Sequence, residues 1–380
     1  MQTFSISGTQ RYRNHPGCWR PRAKEAGLAP ERSLPDGRRS PRHCYPTIDD
    51  ALGPAATRFF GDGHRKVGHQ LRGLTLETTA EGLCRIRGKG DVAYPRDWSA
   101  KTGHAELRPH LSSIDAVVLA VQITERGLAH ALGLDSEQRR RMWVRAITVR
   151  AGTAPQLDLD DLDVSATLIR SQPVPLSLCG HVSTAESRIG PIKVILEVEH
   201  EPGRPGSPRA QAPGGTLPDE PAAGYYGDAY KKAIRGIREI HADAETGKIE
   251  ALVSITQPAP EQPLAGTGAA YHPCLTPIDA IVTTAQLAQV LTYATDHLRR
   301  DQTSTLWMRH FSLALKTPHQ LALKTPHQPI SNPFITSLHT AKSRTITHSA
   351  QTWRTVDMAG AMLGVTGSFS VTHLVQAPPA

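Results

Sequence analysis

Two stretches of this 380-residue sequence decide the fold: PHLSSIDAVVLAVQ at residues 109–122 and PCLTPIDAIVTTAQ at residues 273–286. They are identical at seven of fourteen positions without a gap, at an offset of 164 residues. Two further blocks match in the same order, namely Phe59–Asp62 with Tyr225–Asp228 and Trp143–Arg145 with Trp307–Arg309. Matching blocks in a conserved order indicate that the chain contains two copies of one unit.

The copies are separated by a segment that is rich in proline and glycine. Residues 201–224 contain six Pro and five Gly, which is typical of a linker. We therefore place the first unit at residues 46–200 and the second at residues 225–380. A perfect repeat, LALKTPHQ at 313–320 and again at 321–328, predicts a local insertion. Its second copy is expected to form a loop, and the alternative is damage to the strand that follows.

The basic charge is concentrated at the N-terminus. Residues 1–45 carry nine Lys or Arg and three acidic residues, which accounts for +6 of the net charge of +8. The segment is rich in Pro and Gly and has no helical or strand period, so we predict a disordered basic tail rather than a nucleic-acid-binding arm. A misassigned start codon would give the same pattern. No nucleic-acid partner is predicted.

Other composition features exclude several classes of protein. No apolar run is long enough to cross a bilayer, and no apolar signal region follows the N-terminus. The five cysteines form no CxxC pair or zinc spacing, which favours free thiols in the cytoplasm. No phosphate-loop, dinucleotide-binding or metalloprotease motif occurs in the structural context that it requires. We therefore predict a cytoplasmic protein with no membrane partner, no metal and no cofactor.

Each unit is predicted to contain strands, one long helix and further strands. Apolar residues follow a helical period after Ser112 and after Thr276, and both of these residues suit a helix N-cap. Pro277 suits a first helical turn. The flanking segments alternate between apolar and polar residues, as antiparallel strands with one covered face do. The fold class is therefore α+β.

Particular motifs resemble known families. YHPCLTPIDAIVTTAQ (271–286) resembles the start of the central helix of hot dog dehydratases. IDDALGPAATRFFGDGHRKVG (48–68), YPRDWS (94–99) and RPHLSSIDAVVLAVQ (108–122) resemble the AvrD (avirulence D) family of plant-associated bacteria. The similarity extends from about residue 46 to the C-terminus. It implies a double hot dog fold, in which two tandem units each wrap an antiparallel sheet around a long central helix.

The resemblance also implies a function. AvrD-like proteins are linked to syringolide-type signals, so we expect an enzyme that joins a β-ketoacyl thioester to a small ketosugar. The expected partners are an acyl thioester, on acyl carrier protein or coenzyme A, and a small sugar; a homodimer is consistent with this expectation. Two alternatives stay open: a hot dog thioester dehydratase or hydrolase that acts without sugar, and a non-catalytic acyl-binding protein.

Four residues are candidates for acid–base catalysis. Asp115 and Asp279 stand at the predicted helix starts, where a carboxylate can orient a hydroxyl or move a proton. The alternative for both is a capping box, in which the carboxylate bonds back to the N-cap residue. His110 and His272 precede these aspartates, and a neutral imidazole could take a proton from substrate. Their alternative is a turn histidine without a partner.

Three residues are candidates for substrate binding. Gln122 and Gln286 lie two helical turns after the aspartates, on the same face, where an amide can hold a carbonyl or hydroxyl. The alternative is a polar side chain that bonds a neighbouring strand. Cys274 precedes a helix N-terminus, which lowers a thiol pKa. Three tryptophans are interpreted as core residues, and these are Trp98, Trp143 and Trp307.

Overall fold

The computed structural model describes residues 42–101, 107–175, 177–203, 215–217, 224–303, 306–323, 333–348 and 351–375. The first part of the chain contains, in order, β1 (Arg42–Thr47), α1 (Ile48–Leu52), β2 (Gly68–Thr78), β3 (Cys84–Ala93), α2 (Ser113–Leu132), α3 (Ser136–Arg141), β4 (Trp143–Arg150), β5 (Leu162–Pro173), β6 (His181–Ile189) and β7 (Ile192–His200). The second part contains β8 (Ile234–Asp243), β9 (Lys248–Thr256), α4 (Pro277–Asp296), β10 (Trp307–Leu315), β11 (Phe334–His348), β12 (Gln351–Met362) and β13 (Val365–Val375).

The strands form one antiparallel sheet that repeats its order. The order is β1-β8-β9-β11-β12-β13-β10-β4-β7-β6-β5-β3-β2. From the central pair β10 and β4 outward, each half therefore shows the same sequence of strands, except that β1 adds one strand beyond β8. The central pair aligns Thr148 with Ser312, and their hydroxyl oxygens lie 3.1 Å apart across the offset of 164 residues. A residue thus faces its own counterpart, so a pseudo-two-fold axis relates the halves at this point.

The two long helices pack on the sheet of their own half. α2 packs against β2, β3, β5, β6 and β7, and α4 against β8, β9, β11 and β12. The hydroxyls of Ser112 and Thr276 accept a hydrogen bond from the third amide of each helix, which completes a capping box. α2 ends at Gly133, whose φ of 63° is a left-handed conformation that glycine adopts without a steric penalty.

The α+β prediction is confirmed, because a large antiparallel sheet with few helices is a hot dog-like arrangement. The predicted tail boundary differs from the structure. Residues 42–45 belong to β1, where Cys44 aligns with His241 of β8, so the folded part begins before residue 46. The rest of the predicted tail, residues 1–41, lies outside the described residues. Within the described ranges, no helix is long and apolar enough to cross a membrane.

Two other predicted segments are described only in part. Of the linker, residues 201–203, 215–217 and 224 are described. There Thr216 bridges Thr75 of β2 and Leu217 is buried. Of the second LALKTPHQ copy, residues 324–328 lie outside the described ranges. Its first residues are packed rather than looped, since Ala322 bridges Cys274.

Candidate active site

Two adjoining cavities meet at the N-terminus of α2. The polar cavity has a volume of about 360 Å³ and is lined by Tyr94, Trp98, His110, Ser112 and other residues from both halves. The apolar cavity runs between α4, β10 and β13, and its lining includes Ile281, Ala285, Ala288, Phe311 and Phe369. Five residues line both cavities, and these are Phe60, Ser113, Gln289, Leu306 and Met308. The shared residues make the two cavities immediate neighbours.

His110 lines the polar cavity between two tryptophan rings. Its ring centroid lies 6.3 Å from that of Trp98 and 5.3 Å from that of Trp307. Burial lowers the pKa of His110, although a backbone hydrogen bond at Arg108 and the charge of Asp115 act in the opposite direction. The imidazole is therefore neutral at pH 7 and able to accept a proton. Trp98 and Trp143 are buried, as we expected of core residues, and Trp98 also lines this cavity. Trp307, for which we also expected a core position, is half-buried and lines the cavity as well.

Asp115 lies directly behind the polar cavity. The backbone amide of Ser112 donates to its carboxylate at 2.9 Å and the Ser112 hydroxyl at 2.7 Å. The Tyr94 hydroxyl donates to the same oxygen, and His69 Nε2 lies 2.8 Å from the other. Burial alone would raise the pKa of Asp115, but the His69, Tyr94 and Ser112 hydrogen bonds outweigh it and lower that pKa. Asp115 is therefore a carboxylate that positions Tyr94 and Ser112, two residues of the cavity wall.

Asp115 has the geometry of the capping-box interpretation, and its catalytic role stays a prediction. It completes the capping box of α2, and it also contacts His69. The second ring nitrogen of His69, Nδ1, is buried and has no hydrogen-bond partner among the described residues. Burial and the charge of Asp115 raise the pKa of Tyr94, so its phenol keeps the proton that it donates.

Asp279 occupies the equivalent position in the second half but has different neighbours. The amide and hydroxyl of Thr276 donate to it, as Ser112 does to Asp115. Arg235 takes the place of His69 at an offset of 166 residues, and its guanidinium donates to Asp279 at 2.7 Å. Gln257 donates to the other carboxylate oxygen at 3.3 Å. The second half therefore has a buried guanidinium–carboxylate salt bridge where the first half has a histidine and a carboxylate.

Comparison with known proteins identifies the family of the chain. The family model described as Pseudomonas avirulence D protein (AvrD) matches residues 43–376. The chain belongs to the AvrD family. A search of curated protein sequences found no significant match.

Among solved structures, a protein of unknown function with a hot dog fold from Alicyclobacillus acidocaldarius is similar to this AvrD family chain. It is 11% identical, with a TM-score of 0.35, and the match covers 85% of this chain and 100% of that one. A putative thioesterase II from Thermobifida fusca is 10% identical, with a TM-score of 0.31 and coverages of 84% and 98%. The dehydratase domain of the polyketide protein PpsC from Mycobacterium tuberculosis is 12% identical, with a TM-score of 0.28 and coverages of 80% and 97%.

The two predicted glutamines of this AvrD family chain bond to the opposite half. Gln122 donates to the backbone carbonyl of Tyr226 at 2.9 Å. Gln286 accepts from Arg58 and donates to the carbonyl of Val282 at 3.2 Å. Neither glutamine lines the two cavities. Neither amide bonds a neighbouring strand, as the alternative expected, and each instead makes a hydrogen bond to the other half.

Cys274 and His272 also lie away from the two cavities. Cys274 is buried, and burial, aided by the charge of Asp279, raises its pKa to about 12. This is the opposite of the lowered pKa that we expected at a helix N-terminus, because removal from water outweighs the helix dipole. His272 is half-buried against the ring of Tyr225, with ring centroids 5.9 Å apart. Burial lowers its pKa.

Sequence reasoning missed two residues of the site, His69 and Tyr94. Tyr94 lies in the YPRDWS motif that carries the AvrD resemblance, so that motif could have been searched for a hydroxyl donor. His69 was detectable as a difference between the copies, since its counterpart is Arg235. Among the described residues, no cluster of three or more His, Cys, Asp or Glu side chains could hold a metal ion.

Proposed function

We propose that this AvrD family protein is a double hot dog enzyme of the cytoplasm that joins a β-ketoacyl thioester to a small ketosugar. The observation that carries the proposal is an apolar cavity that adjoins a more polar cavity lined by a neutral histidine, His110. An acyl chain needs an apolar channel and a sugar needs polar surroundings. The junction between them is where a thioester and a hydroxyl would meet.

The apolar cavity suits the acyl chain. Its walls are aliphatic and aromatic side chains from α4, β10 and β13, with small Ala285 and Ala288 along the helix. Ser113, the first residue of α2, lines both cavities. The first amides of a helix have no partner within the helix, and they carry partial positive charge. A thioester carbonyl at this junction would therefore be polarised, and negative charge developing on its oxygen would be stabilised.

His110 supplies the base in this proposal. Its neutral imidazole removes the proton of a ketosugar hydroxyl, and the hydroxyl oxygen attacks the thioester carbon. The tetrahedral intermediate then collapses, the carbon–sulfur bond breaks, and the imidazolium returns its proton to the departing thiolate. The products are an acyl sugar ester and a free thiol. Asp115 acts as a positioning residue, because it holds Tyr94 and Ser112 in the cavity wall.

Mass spectrometry of two reactions tests the proposal. One contains the protein with a β-ketoacyl thioester alone, and the other also contains xylulose. We expect a product with the mass of acyl group plus sugar, formed only with xylulose. Thiol release or loss of water without sugar would instead identify a hydrolase or a dehydratase. A bound but unchanged thioester would identify an acyl-binding protein.

A pair of histidine variants ties the reaction to the cavity. His110→Gln should lower kcat by about 10²- to 10⁴-fold, the usual contribution of a general base. His272→Gln is the matched control, because His272 is half-buried at a comparable place in the other half but lines neither cavity. Equal losses in both variants would refute the assignment of His110.

A further inference from the structure

The wall of the polar cavity beside Asp115 indicates how the acceptor sugar is bound. We infer that the phenol oxygen of Tyr94 accepts a hydrogen bond from a sugar hydroxyl, and that this wall selects a group with a proton to donate. The inference rests on the proposed acyl transfer, because it takes the occupant of the polar cavity to be the sugar. It adds a specificity-determining residue and the direction of its hydrogen bond.

The single proton of Tyr94 is already committed. Tyr94 is half-buried and lines the polar cavity, and its hydroxyl donates to the carboxylate of Asp115. Burial would raise the pKa of Asp115, but its hydrogen bonds lower that pKa, so the group stays ionised and can only accept. A hydrogen bond to a charged acceptor is roughly twice as strong as a neutral one, so a neutral ligand does not take this proton. The Tyr94 oxygen is therefore left as an acceptor.

Ser112, which also lines the polar cavity, has the same restriction. Its hydroxyl donates to Asp115 at 2.7 Å and accepts from the backbone amide of Asp115 at 3.2 Å. A hydrogen bond with the Ser112 hydroxyl also acts to lower the pKa of Tyr94. Since Ser112 has one hydroxyl proton, the carboxylate, as the stronger acceptor, keeps it. A ligand group that binds beside these two oxygens must supply the proton itself.

The second half shows that the fold does not require a tyrosine at this place. Gln257 directly follows β9, as Tyr94 directly follows β3. Each donates to the helix-start aspartate of its own half. Gln257 also donates to the carbonyl of Cys274 at 2.9 Å, and it lines neither of the two cavities. The capping aspartate thus needs a donor but not a phenol, so a role in the cavity accounts for Tyr94.

Tyr94 and the proposed base belong to the same wall. Trp98 packs edge-on against both rings, with centroids 5.1 Å from that of Tyr94 and 6.3 Å from that of His110. A polyol on this wall can give the proton of one hydroxyl to His110 and bind Tyr94 through a second hydroxyl. The acceptor class is therefore a neutral compound with at least two hydroxyls.

Binding of xylulose analogues tests the direction of the hydrogen bond. Trp98 and Trp307 line the polar cavity, so a bound ligand should change the tryptophan fluorescence. In the analogues, one hydroxyl at a time is replaced by hydrogen or by fluorine, which is similar in size to a hydroxyl but cannot donate. At the position bound by Tyr94, both replacements should weaken binding by about 5- to 100-fold, the effect of a buried acceptor without a partner. If fluorine restores tight binding there, or if no replacement weakens binding, the inference is overturned.

A tyrosine variant links this selectivity to the cavity wall. Tyr94→Phe keeps the ring and should reduce the penalty for fluorine at that position to less than about twofold. Asp115 retains the amide and hydroxyl of Ser112 as donors, so the variant is expected to fold. Tyr45→Phe is the matched control, because Tyr45 is half-buried in β1 and lines neither of the two cavities. An undiminished penalty in Tyr94→Phe would overturn the assignment.

Binding is measured without a thioester, which separates this inference from the proposed function. Xylulose binding that depends on Tyr94 and rejects fluorine, without any acyl-sugar product, would retain the inference and reject the transfer. A product formed with equal kcat/KM from xylulose and from every fluorinated analogue that keeps the reacting hydroxyl would overturn the inference and retain the transfer. Unchanged fluorescence with xylulose, together with no product, would reject both.

Discussion

Of the two aspartates at the helix starts, Asp279 should matter mainly for stability and Asp115 mainly for activity. In Asp279→Asn, the Arg235 guanidinium loses its carboxylate while both side chains are almost completely buried, with 1% and 6% exposed. Its other acceptors are Nε2 of His64 at 3.3 Å and the carbonyls of Tyr230 and Ala233 at 3.4 and 3.5 Å. Removing one partner of a buried ion pair costs about 3–5 kcal/mol of folding free energy, because the remaining charge is uncompensated.

The corresponding change in the first half is milder for stability. In Asp115→Asn, the amide keeps one acceptor oxygen, and the donors Tyr94 and Ser112 can share it. We expect a loss of about 1–2 kcal/mol, the cost of weakening a hydrogen bond to a charged group. Activity should fall much more, because a neutral amide oxygen holds Tyr94 and Ser112 less firmly in the cavity wall than the carboxylate does.

Urea unfolding followed by tryptophan fluorescence measures the stability of both variants. The acyl-transfer rate is measured on the same preparations without urea and is expressed per folded molecule. Thr276→Ala is the control, since it removes a capping side chain but leaves the Arg235 pair, and it should cost about 1 kcal/mol. The reasoning is refuted if Asp279→Asn is no less stable than Asp115→Asn, or if its folded fraction is inactive.

Three further predictions concern the cavities and the thiol. Ala285→Leu should shift the preferred acyl chain to one shorter by about two to three carbons, because the larger side chain fills the apolar cavity. Rates with thioesters of different chain lengths measure this preference. An unchanged preference would contradict the assignment of the apolar cavity to the acyl chain. The acyl-transfer rate should rise with pH as His110 loses its proton, and it should be level by pH 7. The midpoint of the rise should lie below 6.5, because burial lowers the pKa of His110. A measured midpoint above 7 would exclude His110 as the base. At pH 8 a thiol reagent should label exposed Cys44 but not buried Cys274, whose pKa is raised to about 12. Peptide mapping identifies the labelled residues. Labelling of Cys274 in the folded protein would show that the start of α4 is open to solvent.

The duplication was the part of the fold that the sequence predicted best. Identical residues at a constant offset required two similar units, and the repeated strand order on either side of β4 and β10 has that form. The N-caps Ser112 and Thr276 were also predicted correctly, since capping depends on residues only three positions apart. Local interactions of this kind can be predicted from the sequence without knowing which distant segments are in contact.

The site was harder to predict because its contacts join distant segments. His69 and Asp115 are 46 residues apart, and no local pattern indicates that β2 carries a histidine to the start of α2. Burial of Cys274 likewise depends on Ala322, which pairs with it from beyond β10. Sequence spacing placed His110 near the helix start but could not show that Trp98 and Trp307 surround it in a cavity.

The self-facing contact of Thr148 with Ser312 has a consequence during synthesis. The partner of β4 is 164 residues further along the chain, so at a typical elongation rate β4 stays an open edge for on the order of 10–30 s. Since its eventual partner is its own counterpart in the second half, the unfinished chain offers an edge that could pair with the same strand of a neighbouring nascent chain. Ribosomes that follow one another on a single message would bring such edges together. Slow translation of the second half should therefore favour entangled pairs of chains over correctly closed single molecules.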